Sequence, residues 1–127
     1  MNIMVVDDEA DVRDLFEQRF RREVSSGRIQ FTFALSAEEA LALLDRMVGD
    51  ISLILSDINM PGMNGLDLLK TVKEKHRHLR VYMITAYGNA EYHERARAYG
   101  CDDFFIKPID FGALKEKLLR GLSGSLA

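Results

Sequence analysis

A single cysteine, Cys101, stands among the 127 residues, so an internal disulfide is ruled out and a reducing cytoplasm is the simpler home. There is no Cys/His cluster either: His76, His78 and His93 are scattered over helical positions, where solvent exposure is expected for all three. Zinc and soft metals therefore fit poorly. No apolar run approaches the length of a membrane span. The amino terminus enters a strand-like run with acids close behind it, which is not the pattern of a signal peptide. Basic residues are not in excess: 17 Lys and Arg against 20 Asp and Glu leave a net charge of -3. That balance argues against nucleic acid as the partner of this domain. Internal repeats and low-complexity segments are missing as well. A flavin site is disfavoured because no hydroxyl- and glycine-rich loop follows the first apolar run. What remains is a cytoplasmic protein that neither crosses nor binds a membrane.

What is present is an ordinary globular balance, 47% apolar and 29% charged, in a chain of one-domain length. Short apolar runs alternate with helical periodicities. Ile3 to Val6 is a strand ending in the acids Asp7, Asp8 and Glu9, and Val12, Leu15, Phe16 and Phe20 mark one face of a helix. Val24 to Arg28 breaks that pattern before an alternating strand over Ile29 to Ala34, placed near a sheet edge. Ser36 and Glu39 have capping-box spacing ahead of a helix with Ala40, Leu41, Leu44 and Met47 inward. Leu66, Leu69 and Val72 open a third helix that ends in the basic run Lys73 to Arg80, read as a solvated helix end. Val81 to Ile84 is the fourth strand. Asn89 to Tyr99 is a weakly amphipathic helix closed by Gly100. Asp103 to Ile106 is the last strand, and Asp110 caps a final helix with Phe111, Leu114, Leu118 and Leu122 inward. The expected organisation is one domain over 1–122 with a tail or linker over 123–127. Strands and helices alternating about five times predict a doubly wound α/β sandwich, flavodoxin-like, with a parallel sheet in the order 2-1-3-4-5.

The stretch Leu53 to Gly65 is central. It begins as a buried strand, delivers Asp57 where the apolar run stops, and turns sharply at Pro61-Gly62. An aspartate at a strand end most often caps a turn or helix. Here, however, the predicted topology brings four strand ends to one edge, carrying Asp7 and Asp8, Asp57, Thr85 and Lys107. Three carboxylates packed together resist ionisation unless a cation sits among them, and Mg²⁺ is the hard, oxygen-seeking ion that answers this. A carboxylate beside Mg²⁺ with a lysine and a hydroxyl suits phosphoryl transfer. Asp57 is the candidate nucleophile, Lys107 neutralises the transferring oxygens and Thr85 donates a hydrogen bond.

Val5-Val6-Asp7-Asp8-Glu9, Asp57-Ile58-Asn59-Met60-Pro61-Gly62-Met63-Asn64-Gly65, Thr85-Ala86 and Lys107-Pro108 resemble, in this order, the receiver domain of two-component response regulators. Each piece alone is weak, but the full set is specific and covers essentially the whole chain. The resemblance implies that Asp57 becomes a 4-aspartylphosphate. The donor would be a phosphohistidine on a sensor histidine kinase or phosphotransfer protein, or a small molecule such as acetyl phosphate. It implies Mg²⁺, with Mn²⁺ a possible substitute, held by Asp8, Asp57 and the Asn59 backbone carbonyl, with Asp7 acting through water. It also implies a cis Lys107-Pro108 bond, Thr85 and Phe104 as switch residues, and Asn59 and Tyr87 tuning the phosphoryl lifetime. The output would pass to a downstream effector, an output domain or a homodimer partner through a face around 89–122, with Tyr92, Arg95 and Lys115 as candidate contacts. Such a domain catalyses only its own phosphorylation and dephosphorylation and is no turnover enzyme. Two rivals stand beside this reading. A phosphatase using an aspartyl-phosphate would want an acid where Asn59 stands. A degenerate scaffold would be expected to lack some of the acids, the threonine or the lysine.

Overall fold

The computed structural model describes residues 1–47, 49–86 and 90–124, the last four of these by backbone alone. Five strands, β1 (Asn2–Val6), β2 (Gln30–Ala34), β3 (Leu53–Asp57), β4 (Arg80–Thr85) and β5 (Asp103–Ile106), form one parallel sheet. Their order is β2-β1-β3-β4-β5, as the alternation predicts. Among the described residues six helices surround it: α1 (Asp11–Arg19), α2 (Arg21–Ser25), α3 (Ala37–Arg46), α4 (Gly65–Lys75), α5 (Ala90–Ala98) and α6 (Phe111–Gly124).

Alternation along the strands sorts the core into two halves. Ile3, Val5, Leu53, Leu55, Tyr82 and Ile84 pack against Phe16 and Phe20 of the α1 segment and Leu114 and Leu118 of α6. The other strand faces, including Met4, Val6, Ile54, Val81 and Met83, meet α3, α4 and Ala96 of α5. The first half is aromatic: Phe16 meets Phe31 and Phe111 edge-on at 5.7 and 5.3 Å between centroids. The second is largely aliphatic. β1 and β3 are the central pair, and every residue of β3 is buried. A near-continuous apolar run therefore belongs there, while β2 and β5 form the edges.

Local departures from the sequence reading have local causes. The first helical segment is interrupted at Phe20, so Arg21 to Ser25 forms its own short helix where a break was expected over Val24 to Arg28. Leu15 is not part of the core; it is 38% exposed, because the sheet side of α1 is filled by the two phenylalanine rings. Ser36 caps α3 as predicted, accepting from the Glu39 N–H at 3.0 Å. The Glu39 carboxylate, however, accepts from the Leu35 N–H one residue further back. Asn64 caps α4 by accepting from the Asp67 N–H at 2.9 Å, a cap the sequence reading missed. Asp110 does accept from the Ala113 N–H at 3.1 Å at the start of α6. The final helix continues to Gly124, past the predicted end at 122; the side chain of Leu122 lies outside the described residues.

Candidate functional site

The direction of chain crossing reverses between β1 and β3, and in such sheets the crevice at the strands' carboxyl ends is where ligands bind. Asp7 follows β1 directly, its N–H bonded to the Ala34 carbonyl at 3.1 Å and its Oδ1 accepting from the Glu9 N–H at 2.9 Å. Asp8, next to it, is exposed. Asp57 ends β3 and is buried. One carboxylate oxygen from each of Asp7, Asp8 and Asp57 lies within 4.8 Å of the others.

Lys107 completes the cluster. Its Nζ donates to Asp7 Oδ2 and Asp57 Oδ2, both at 3.2 Å. The Lys107-Pro108 bond is cis, and the Lys107 N–H bonds the Thr85 carbonyl at 2.8 Å, which fixes the lysine at the end of β5. Burial is the largest influence on the Asp57 carboxyl and lifts it above the ordinary aspartate range; Lys107 pulls it down and Asp7 adds to the lift. Burial works the other way on the Lys107 ammonium, but the charges of Asp7 and Asp57 outweigh it and hold the lysine above its ordinary value.

Thr85 closes β4 with no exposed surface, one position beyond the Ile84 that pairs with Asp57. Asn59 is exposed in the following loop, and the Tyr92 hydroxyl donates to its Oδ1 at 3.4 Å. Phe104, on β5 opposite Met83, is half-buried and its ring is stacked by that of His93, 4.6 Å away at 17°. Tyr87 and Asn89 lie outside the described residues. So Asp7, Asp8 and Asp57 gather with Lys107 on Asp7 and Asp57, Thr85 ends the strand beside that of Asp57, Asn59 lies two residues past Asp57, and Phe104 sits on β5, three residues before Lys107.

The loop between Asp57 and α4 is held by contacts that the pattern Met-Pro-Gly-Met-Asn-Gly did not disclose. A Cβ on Gly65 would stand 2.0 Å from the Asp57 carbonyl oxygen, and the Gly65 N–H bonds the Ile58 carbonyl at 2.7 Å. The start of α4 thus presses on the backbone of Asp57, and only glycine fits. Gly62 has φ +77, a conformation open to glycine, and the adjacent Met63 N–H donates to Glu38 of α3 at 3.3 Å.

Beside the acids opens a cleft of about 350 Å³, lined by Leu15, Asp57, Lys107, Pro108, Ile109 and Phe111 among others. It explains what the exposed Leu15 faces. On the same flank, Lys115 of α6 does not belong to a free output surface. Its Nζ pairs with buried Glu23 at 3.2 Å and donates to the Arg19 carbonyl at 3.0 Å, which ties α6 to the α1–α2 segment. The Glu23 carboxyl, though burial alone would raise it, is held below its usual value by its backbone hydrogen bond and by Lys115 and Arg28. Lys73, in the basic run, pairs with Asp102 at 2.9 Å and donates to the Leu79 carbonyl, so it is a structural tie and not a free cation. His93 is exposed as expected, but its ring is engaged.

Residues 3–119 match the family described as response regulator receiver domain. The chain belongs to that family. It is 36% identical over 121 residues to the response regulator protein PilR of Pseudomonas aeruginosa, covering 94% of this chain but 25% of that protein. It is 35% identical to the chemotaxis protein CheY-3 of Vibrio cholerae, covering 93% of this chain and 88% of that one. The receiver domain thus spans about a quarter of the first relative and most of the second. Among solved structures, the response regulator protein TrrA of Thermotoga maritima in complex with Mg²⁺ and BeF matches with a TM-score of 0.76 and 29% identity, covering 94% of this chain and 96% of that one.

Proposed function

We propose that this receiver domain is a phosphorelay switch in which Asp57 accepts a phosphoryl group from a histidine kinase or histidine phosphotransfer protein. The single observation that carries this reading is the ammonium of Lys107 bridging Asp7 and Asp57 with the Asp8 carboxylate alongside. A deprotonated Asp57 oxygen attacks phosphorus while the P–N bond of the donor breaks, its electron pair passing to the imidazole nitrogen. With acetyl phosphate the bond broken is P–O and acetate leaves. Lys107 lies within reach of the transferring oxygens, and Thr85 is the hydroxyl that follows them.

Three carboxylates with a single lysine are an all-oxygen donor set suited to Mg²⁺, with Mn²⁺ a substitute. Asp8 and Asp57, with the Asn59 carbonyl, are the residues to hold it, and Asp7 contributes through water. When bound, it supplies charge neutralisation for the transferring phosphoryl group.

The output is a population shift over α5, β5 and α6. Arg95 and Ile106, the latter 54% exposed on the edge strand, offer the contact surface for an effector, an output domain or a second copy. Lys115 is withdrawn from that set by its tie to Glu23. Among the described residues no helix is long and apolar enough to cross a membrane, and a cytoplasmic place beside the kinase's catalytic part follows from the proposed partner. The functional unit is residues 1–122, and it turns over no substrate beyond its own phosphoryl group.

The test is incubation with acetyl phosphate and Mg²⁺ followed by intact mass. One phosphoryl adduct, labile to hydroxylamine and missing in Asp57→Asn and without metal, is expected. No adduct, together with no binding of Mg²⁺ and beryllofluoride, would favour a binding scaffold instead.

A further inference from the structure

α5 is sparsely embedded: of residues 90–98, only Ala96 is buried. Two of its adjacent side chains nevertheless make specific contacts, and they reach different parts of the site. The Tyr92 hydroxyl bonds Asn59 in the loop after the acceptor strand, and the His93 ring stacks on Phe104 of the edge strand. Neighbouring helix residues point about 100° apart, which is what lets one turn of helix hold a loop and a strand at once.

We propose that Tyr92 and His93 clamp α5 in its resting position, each released by a different event: Tyr92 by cation loading at the loop carrying Asn59, His93 by movement of Phe104. The proposal rests on the reading of Asn59 and Phe104 given above. At 3.4 Å the Tyr92 bond is already longer than the usual O–H···O range, so a small displacement of Asn59 breaks it. Drawing the Asn59 carbonyl toward Asp8 and Asp57 turns the backbone that also carries the bonded side chain, and the bond to Tyr92 is lost. The phosphoryl group then acts on the ring contact. Phe104 cannot leave its place without shedding the imidazole lying on it. Release in two steps makes the output respond to the phosphorylated, metal-loaded state and weakly to metal alone. Linkage is reciprocal: if cation binding breaks the Tyr92 bond, removing that hydroxyl must strengthen cation binding.

The variants are Tyr92→Phe, which removes only the hydroxyl, His93→Ala, and the double substitution. Three measurements apply: amide hydrogen exchange over residues 90–98, calorimetric titration with Mg²⁺ alone, and titration with beryllofluoride in Mg²⁺. Without metal, each single variant is expected to exchange about 2–10-fold faster over α5, and the double variant faster than either. Mg²⁺ should bind about 2–5-fold tighter to Tyr92→Phe and unchanged to His93→Ala. Beryllofluoride should bind tighter to His93→Ala. Saturating Mg²⁺ should speed α5 exchange in the parent chain but not in Tyr92→Phe. Equal acceleration by Mg²⁺ in both, or metal-free exchange unaffected by either substitution, overturns the clamp. Failure of the parent chain to bind Mg²⁺ overturns the reading of the site instead, and the clamp is then judged by metal-free exchange alone.

Discussion

Lys107 donates to Asp57 across fifty positions of sequence, at 3.2 Å, and both groups are largely withdrawn from water. Each holds the other in check. Because the folded Asp57 carboxyl is lifted above its ordinary value of 3.8, the folded chain binds its proton more readily than the unfolded one. Stability from this group therefore rises as pH falls through the lifted value, and at neutral pH the ionised aspartate is a cost. Asp57→Asn should stabilise the metal-free protein by about 1 kcal/mol, several degrees in Tm, with the advantage shrinking toward pH 4. Mg²⁺ should raise the Tm of the parent chain more than that of the variant. Thermal melts in chelator and in Mg²⁺ check both.

Removing the lysine has the opposite sign. Lys107→Ala leaves buried carboxylates without their counter-charge and should cost about 1–3 kcal/mol in chelator. Its stabilisation is fully present below the ordinary value of 10.5 and is lost as pH rises through the higher folded value, so the difference should persist across neutral pH. Urea titrations at pH 7 and above 10.5 make the comparison.

Gly65→Ala should be among the most damaging small substitutions in the chain. Its new carbon would overlap a backbone oxygen, which no side-chain rotation relieves, and a loss of about 3 kcal/mol or more is expected. Gly112→Ala, in the first turn of α6, sets its new carbon 3.3 Å from the Asp110 Oδ1 that caps the helix, so its effect should stay within about 1 kcal/mol. The denaturant midpoint should fall far more for Gly65→Ala than for Gly112→Ala.

Leu15→Glu places a charge in the apolar cleft beside Asp57 while disturbing no core contact. Phosphotransfer from a phosphohistidine protein should fall about tenfold, the effect of spoiling one good interface contact. Acetyl phosphate, which is too small to use that surface, should react as before. Parallel time courses with the two donors separate them.

On the proposed reading a ring at position 87 would shield the acyl phosphate from water, so Tyr87→Ala should shorten the life of the phosphorylated state. Decay followed by intact mass after removal of the donor is the check; an unchanged or slower decay refutes the shielding role.

The fold and the acids were legible because both leave periodic or punctuated traces. Apolar runs that end in acids, a threonine and a lysine reveal the strand ends, and the alternation of elements places those ends together. Sequence reading failed where a side chain reaches outside its own element. Nothing about Lys115 announces that it turns toward Glu23, because position on a helix gives a face and not the neighbour on that face. Leu15 matched the apolar stripe of α1, yet stacked phenylalanines already fill that side. The contacts of Tyr92 and His93 likewise join α5 to residues 33 and 11 positions away, beyond any periodic signal.

Asp7, Asp57 and Lys107 are spaced at intervals of fifty residues and come from the first, middle and last strands in chain order. A chain that ends after β4 lacks the lysine that balances these acids, together with the last strand and the final helix that pack on the sheet. The charge balance of the cluster is therefore completed only when β5 docks.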